Sequence, residues 1–159
     1  MKRVAAFAYL LICVSAGGAF AQAGSGVGDA PGANQFGQPE TIELIREVAK
    51  KWVASGAAPF GVGDVSKADA FVPPEHFATG DHKTGLGIDI RPIRKDNQPA
   101  GVRWQEPAYD RAATQKLVDM FNETGRVDRI AFGDAQVSGV KVYRGLDDHM
   151  HITVKPRLN

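Results

Sequence analysis

The chain carries 159 residues with 19 Lys and Arg against 18 Asp and Glu, a formal net charge of +1. Such a near-balance leaves no basic field for nucleic acid or for an anionic membrane surface, so neither is expected as a partner. A lone cysteine, Cys13, cannot close an intramolecular disulfide.

Met1-Lys2-Arg3, the apolar run Val4 to Val14 and the small residues from Ser15 to Ala23 read as a secretory signal peptide over residues 1–21. Ala19-Phe20-Ala21 and Ala21-Gln22-Ala23 both satisfy the small-x-small rule, so cleavage is expected after Ala21 or Ala23. The apolar run is too short to persist as a membrane anchor. Ile12 places a bulky side chain where lipidation of Cys13 requires a small one. Loss of Lys2 and Arg3 with the signal takes the formal charge from +1 to −1. The mature chain then lacks cysteine, which excludes disulfides, a cysteine nucleophile and thiolate metal ligands, although a periplasmic or secreted destination would permit disulfides. About 136 residues remain, enough for one compact domain with a single core.

Residues 22–38 are rich in Gly, Ala, Asn and Gln, show no apolar periodicity and read as a flexible leader, which leaves 39–159 as the domain. Pro39 to Ser55 reads as a helix: Pro39 suits the first turn, Glu40 and Glu43 complement the N-terminal dipole, and Gly56 stops it. Its apolar stripe is Ile45, Val48, Ala49, Trp52 and Val53, a spacing that assigns Trp52 to the core rather than to stacking on a glycan. Gly56 to Gly80 contains Pro59, Pro73 and Pro74 and is irregular. Lying ahead of His82, it is expected to form one wall of a cleft; His76 reads more readily as a solvent-exposed loop histidine than as a residue that approaches metal or substrate, and Asp64 is divided between turn former and site residue.

After a polar loop from Arg94 to Gly101, a second helix is expected from about Pro107 to Thr124, with Ala113, Leu117, Met120 and Phe121 facing inward. Val127 to Phe132, Gly139 to Tyr143 and His149 to Lys155 are short candidate strands. Helices flanking such strands predict an α+β domain built on a small antiparallel sheet.

Of four histidines, three sit in two short motifs. His82 and Asp89 stand seven residues apart around Gly85 and Gly87, which allow a tight turn that would bring the imidazole back over the carboxylate. Strand alternation puts His149, His151 and Thr153 on one face and Met150, Ile152 and Val154 on the other; likewise Asp89 and Arg91 oppose Ile88 and Ile90. A His-x-His pair is by itself usually two surface histidines, and a His before a glycine turn is usually loop. Concentration of the histidines in these two places favours a metal. Zinc takes imidazole nitrogen and carboxylate oxygen, and a catalytic site keeps three protein ligands with one position open. A His, an Asp and a His from separate segments meet that count and leave a further His or Asp nearby to handle protons.

His82-x-x-Gly85-x-x-x-Asp89 followed far downstream by His149-x-His151 resembles the zinc signature of the superfamily named for lysostaphin, D-Ala-D-Ala metallopeptidases and Sonic hedgehog. Gly61-Val62-Gly63-Asp64-Val65-Ser66 and Gly85-Leu86-Gly87-Ile88-Asp89-Ile90 are similar to stretches of penicillin-insensitive murein endopeptidases, and the likeness runs roughly from Phe60 to Pro156. This resemblance implies the hedgehog-like zinc peptidase fold, His82, Asp89 and His151 as ligands of Zn2+, and His149 as the residue that assists catalysis. Asp148, three before His151, matches instead the acid-x-x-His pattern of D-Ala-D-Ala peptidases. Between these two candidate bases His149 is preferred, because alternation puts it on the metal's side of the strand and turns Asp148 away unless the strand begins later. The pattern departs from many relatives at Gly80, where they have a hydroxyl residue; Arg91, on the face of Asp89, is a candidate for holding a substrate carboxylate.

The expectation is an exported zinc metallopeptidase that hydrolyses peptidoglycan stem peptides or cross-links, a murein endopeptidase. Its alternatives are a D,D- or L,D-carboxypeptidase on the same scaffold, and a non-catalytic zinc or cell-wall binding module.

Overall fold

Proline at the first helical position and a left-handed glycine after the last turn fix the first helix, α1 (Pro39–Ala54), to within a residue of its expected bounds; Gly56 has φ of 82°. The computed structural model describes residues 21–22, 36–66, 80–98 and 100–157. His76 and nearly all of the expected signal peptide and leader lie outside the described residues. Two short strands, β1 (Ala21–Gln22) and β2 (Phe36–Gly37), pair antiparallel just ahead of α1. The expected signal cleavage would remove one or both residues of β1.

On α1 the buried side chains are Ile42, Leu44, Ile45, Val48 and Trp52, whereas Val53 is exposed. Ile45, Val48, Trp52 and partly buried Ala49 thus lie on the core side as expected, and the buried arc widens toward Thr41, Ile42 and Leu44 instead of reaching Val53. Trp52 is a core residue, edge-on to Phe60, with its indole N–H donated to the Ala58 carbonyl at 2.6 Å.

A one-turn helix, α2 (Asp81–Thr84), ends at Gly85, whose φ of 72° is the left-handed value a glycine adopts without strain. From there the chain enters β3 (Gly87–Ile90). The next helix, α3 (Arg111–Glu123), starts four residues later than expected, since the Asp110 carboxylate accepts the Ala113 N–H at 2.9 Å and caps it there. Such a cap contributes about 1 kcal/mol. β4 (Val127–Phe132), β5 (Lys141–Val142) and β6 (Met150–Val154) complete the order.

The sheet runs β3-β6-β4-β5. Its first three strands are antiparallel neighbours, as expected, but two-residue β5 pairs parallel to β4, so the sheet is mixed. Register is set by the apolar face, where Ile88 stands opposite Ile152, Ile90 opposite Met150, and Ile130 opposite Ile152 on the other side. These side chains join Ile42, Ile45, Val48 and Trp52 of α1 and Leu117, Val118 and Phe121 of α3 in one hydrophobic cluster. Burying one face so fully fixes the opposite face too, because a slip by one residue would invert every side chain. No helix among the described residues is long and apolar enough to cross a membrane.

Candidate metal centre

The polar face of the same three strands carries the site. Asp89 lies directly opposite His151 in the β3–β6 register, and Gly87 directly opposite Thr153. On the other side of β6, Ala131 faces His151 and Arg129 faces Thr153. The polar pleat thus presents two rows, one holding Asp89 and His151, the next holding Gly87, Thr153 and Arg129.

His82 reaches this face from α2. Thr41 Oγ1 and the Gln38 N–H both donate to the Gly85 carbonyl, at 2.8 and 3.0 Å, and thereby tie the end of α2 to the start of α1. Beneath α2, Gly87 leaves no side chain in the way: a Cβ there would lie 3.0 Å from the backbone nitrogen of His82. A second flank comes from Gly61 to Val65, which runs beside the outer edge of β3 with Gly63 N–H donating to Asp89 O at 2.7 Å and Asp89 N–H to Asp64 O at 2.8 Å. This places the Val65 carbonyl against His82 Nδ1.

His82, Asp89 and His151 are thereby brought together, each nearly inaccessible to solvent, with one candidate ligand atom apiece lying within 4.8 Å of the others. Asp89 Oδ1 stands 3.0 Å from His151 Nδ1 and 3.4 Å from His82 Nε2, and the two imidazoles meet edge-on with centroids 4.9 Å apart. Burial alone would push the Asp89 carboxyl up, but hydrogen bonds from His151 and His82 outweigh it and hold the group far below the ordinary carboxylate range. For His82, burial works to lower the pKa, and the Asp89 carboxylate with the Val65 carbonyl reverses this to a net rise.

The donor set fits a metal ion on chemical grounds. The second nitrogen of each ring already has an acceptor, the Val65 carbonyl for His82 Nδ1 and the Asp81 carboxylate for His151 Nε2 at 3.3 Å. The inner nitrogens donate to Asp89 when they carry protons; with the protons on the outer nitrogens instead, they would turn lone pairs toward the carboxylate. In that state three acceptors converge in a buried place, an arrangement compatible with a metal ion among them.

A cleft of about 320 Å³ opens beside the trio, lined by Gly63, Asp64, Asp89, Arg91, Gly101, Asp148 and His149. Gly63 and Asp64 form the wall expected of the segment before His82. His149 and Asp148 both face this cleft, their side chains joined through Nδ1 and Oδ1 at 2.8 Å. Asp148 was expected to turn away unless the strand began later, and the strand does begin later. β6 begins at Met150, so alternation does not extend back to 148 and 149. Asp81 was not among the residues singled out from sequence. Between a glycine and a histidine it reads as a turn former, and the available signal was Thr153, which shares a strand face with His151 and receives Asp81 across it.

No family model matches this chain, and no curated protein matches it.

Proposed function

We propose that this chain is an exported zinc metallopeptidase acting on the peptide part of peptidoglycan, as a murein endopeptidase. What carries the proposal is the buried convergence of His82, Asp89 and His151, with the outer nitrogen of each imidazole tied to an acceptor, beside a cleft that holds His149 and Asp148. His82 through Nε2, Asp89 through its carboxylate and His151 through Nδ1 would hold the ion. The sequence resemblance selects zinc and murein; two imidazoles and one carboxylate also suit iron(II), so metal content belongs in the test. When bound, zinc polarises a carbonyl and makes a water nucleophilic near neutral pH.

The remaining work falls to the chain itself. His149 is the proton carrier of the cleft: with its Nδ1–H donated to Asp148, the ring is oriented and Nε2 is left to take up or deliver a proton. Asp148 then acts on the imidazole rather than as the base. The pair's side chains are 32% and 57% exposed, in contrast to the trio, and protons can be exchanged with solvent there.

Arg91 gives a second reading some support, because it lines the same cleft as Asp89 and a guanidinium suits a terminal carboxylate. Digestion of purified murein sacculi with zinc-loaded protein, followed by mass spectrometry of the released peptides, separates the two. Conversion of cross-linked dimers to monomers is the expected result. Release of single terminal residues would make the protein a carboxypeptidase, and no release by zinc-loaded protein would make it a binding module.

A further inference from the structure

We infer that Asp81 is a positioning residue for His151: its carboxylate holds the ring proton on Nε2 and so keeps Nδ1 bare for the metal. The inference rests on the metal reading of His82, Asp89 and His151. It concerns a residue that belongs to neither the ligand trio nor the cleft.

A neutral imidazole carries one proton, and the nitrogen that bears it cannot ligate. His151 sits between two carboxylates, Asp89 Oδ1 at 3.0 Å from Nδ1 and Asp81 Oδ2 at 3.3 Å from Nε2. Each offers acceptors, and each draws the proton toward its own side. If Asp89 wins, Nδ1 is protonated and the ligating lone pair is closed. Asp81 is the competitor; its contact is the longer of the two, 3.3 against 3.0 Å, and its weight in the competition comes from an oxygen that is held in place. Thr153 Oγ1 donates to the same Oδ2 at 2.6 Å, and Arg129 Nη2 lies 3.6 Å from it while also donating to Thr153 Oγ1 at 3.2 Å. Thr153 and Arg129 are neighbours in the sheet register, one row along from Asp89 and His151. The backbone of Asp81 is pinned as well, its carbonyl accepting the Leu86 N–H at 2.9 Å and the Thr84 hydroxyl at 2.9 Å. An outer carboxylate on a ligating histidine typically changes metal affinity by about 10–100-fold when removed.

Imidazole nitrogen NMR of the metal-free protein above the histidine range, combined with chelator competition for zinc, tests the inference. In the wild type His151 is expected as the Nε2–H tautomer. Asp81→Ala is expected to move the proton toward Nδ1 and to weaken zinc binding about 10–100-fold. Asp81→Asn keeps an oxygen that accepts from Nε2–H and is expected to retain the tautomer and most of the affinity, which a loss of general stability would not discriminate. If Asp81→Ala fails to fold, Thr153→Val removes the 2.6 Å restraint instead and is expected to shift both readouts in the same direction by less. A wild-type Nδ1–H tautomer, or unchanged tautomer and zinc affinity in the folded variants, overturns the inference. A tautomer switch in a protein that takes up no zinc would sustain the role of Asp81 on the ring and overturn the metal reading alone.

Discussion

The buried trio and the Asp148–His149 pair are separated by the first residue of β6, yet their side chains are held in opposite ways. Each imidazole of the trio is fixed at both nitrogens, His82 by Val65 and Asp89, His151 by Asp81 and Asp89. His149 is restrained at Nδ1 by a half-exposed carboxylate ahead of the strand. Fixing both nitrogens suits holding an ion in one geometry, and fixing one suits passing a proton. On the proposed reading, holding and proton transfer would be divided where the strand begins: inside β6 the register dictates position, and before it no ladder does.

The largest expected effect follows from removing a residue of the buried group. Purified mature protein should carry about one zinc per chain, and His82→Ala should carry almost none and show no murein cleavage. Metal analysis of both preparations is the check. A wild type that refuses added zinc, or a His82→Ala chain that keeps it, would remove the basis of the division.

On the exposed side, His149→Ala is expected to keep its zinc and lose turnover by about 10²–10⁴, the usual contribution of a general base. Asp148→Asn should cost less, since the amide oxygen still accepts from Nδ1–H. Zinc content and turnover are measured on the same samples. An inactive Asp148→Asn beside an active His149→Ala would exchange the two roles.

pH separates the regions further. The pKa of His82 is raised above its ordinary 6.5, so its contribution to metal-free stability is complete below 6.5 and is lost as pH rises through the raised value. Asp89 runs the other way: its carboxyl lies below the ordinary 3.8, so its contribution is present above 3.8 and is lost as pH falls through the depressed value. The pair therefore favours the metal-free fold most between 3.8 and 6.5. Zinc needs His82 neutral, so its affinity should climb about tenfold per pH unit until the raised pKa is passed, then level off. Melting temperatures with and without zinc across this range should show an increment that grows with pH. An increment independent of pH would mean that His82 is not displaced of a proton by the metal.

Much of this arrangement was legible in the sequence, for a physical reason. Period-two alternation puts Asp89 opposite to Ile88 and Ile90, and His151 opposite to Met150 and Ile152, and a sheet with one buried face preserves that assignment. What alternation does not encode is adjacency: Asp89 and His151 meet across 62 residues of separation because Ile88 pairs with Ile152. Where the ladder begins is not encoded either: with β6 starting at Met150, alternation says nothing about Asp148 or His149. Short elements escaped as well. The single turn of α2 has no apolar stripe to reveal it, and with it went Asp81; the two residues of β5 give no period from which a parallel pairing could be read.

Gly87 carries the smallest expected effect and tests where the boundary lies. A methyl group there would stand 3.0 Å from His82 N, 3.1 Å from His82 Nδ1 and 3.2 Å from the Asp81 carbonyl carbon, all backbone or ring atoms with little room to give. Gly87→Ala should therefore lift α2 off the sheet by a few tenths of an ångström, at a cost of about 1–3 kcal/mol in unfolding by urea. Because α2 carries both His82 and Asp81, zinc affinity should fall with it. His149 and Asp148 enter from the other end of β6 from Thr153, which pairs with Gly87, and hydrogen-bond to each other, so turnover at saturating zinc should stay close to that of the wild type. The opposite pattern, unchanged zinc affinity with turnover lost at saturating metal, would show that α2 acts on proton transfer and that the two regions are one device.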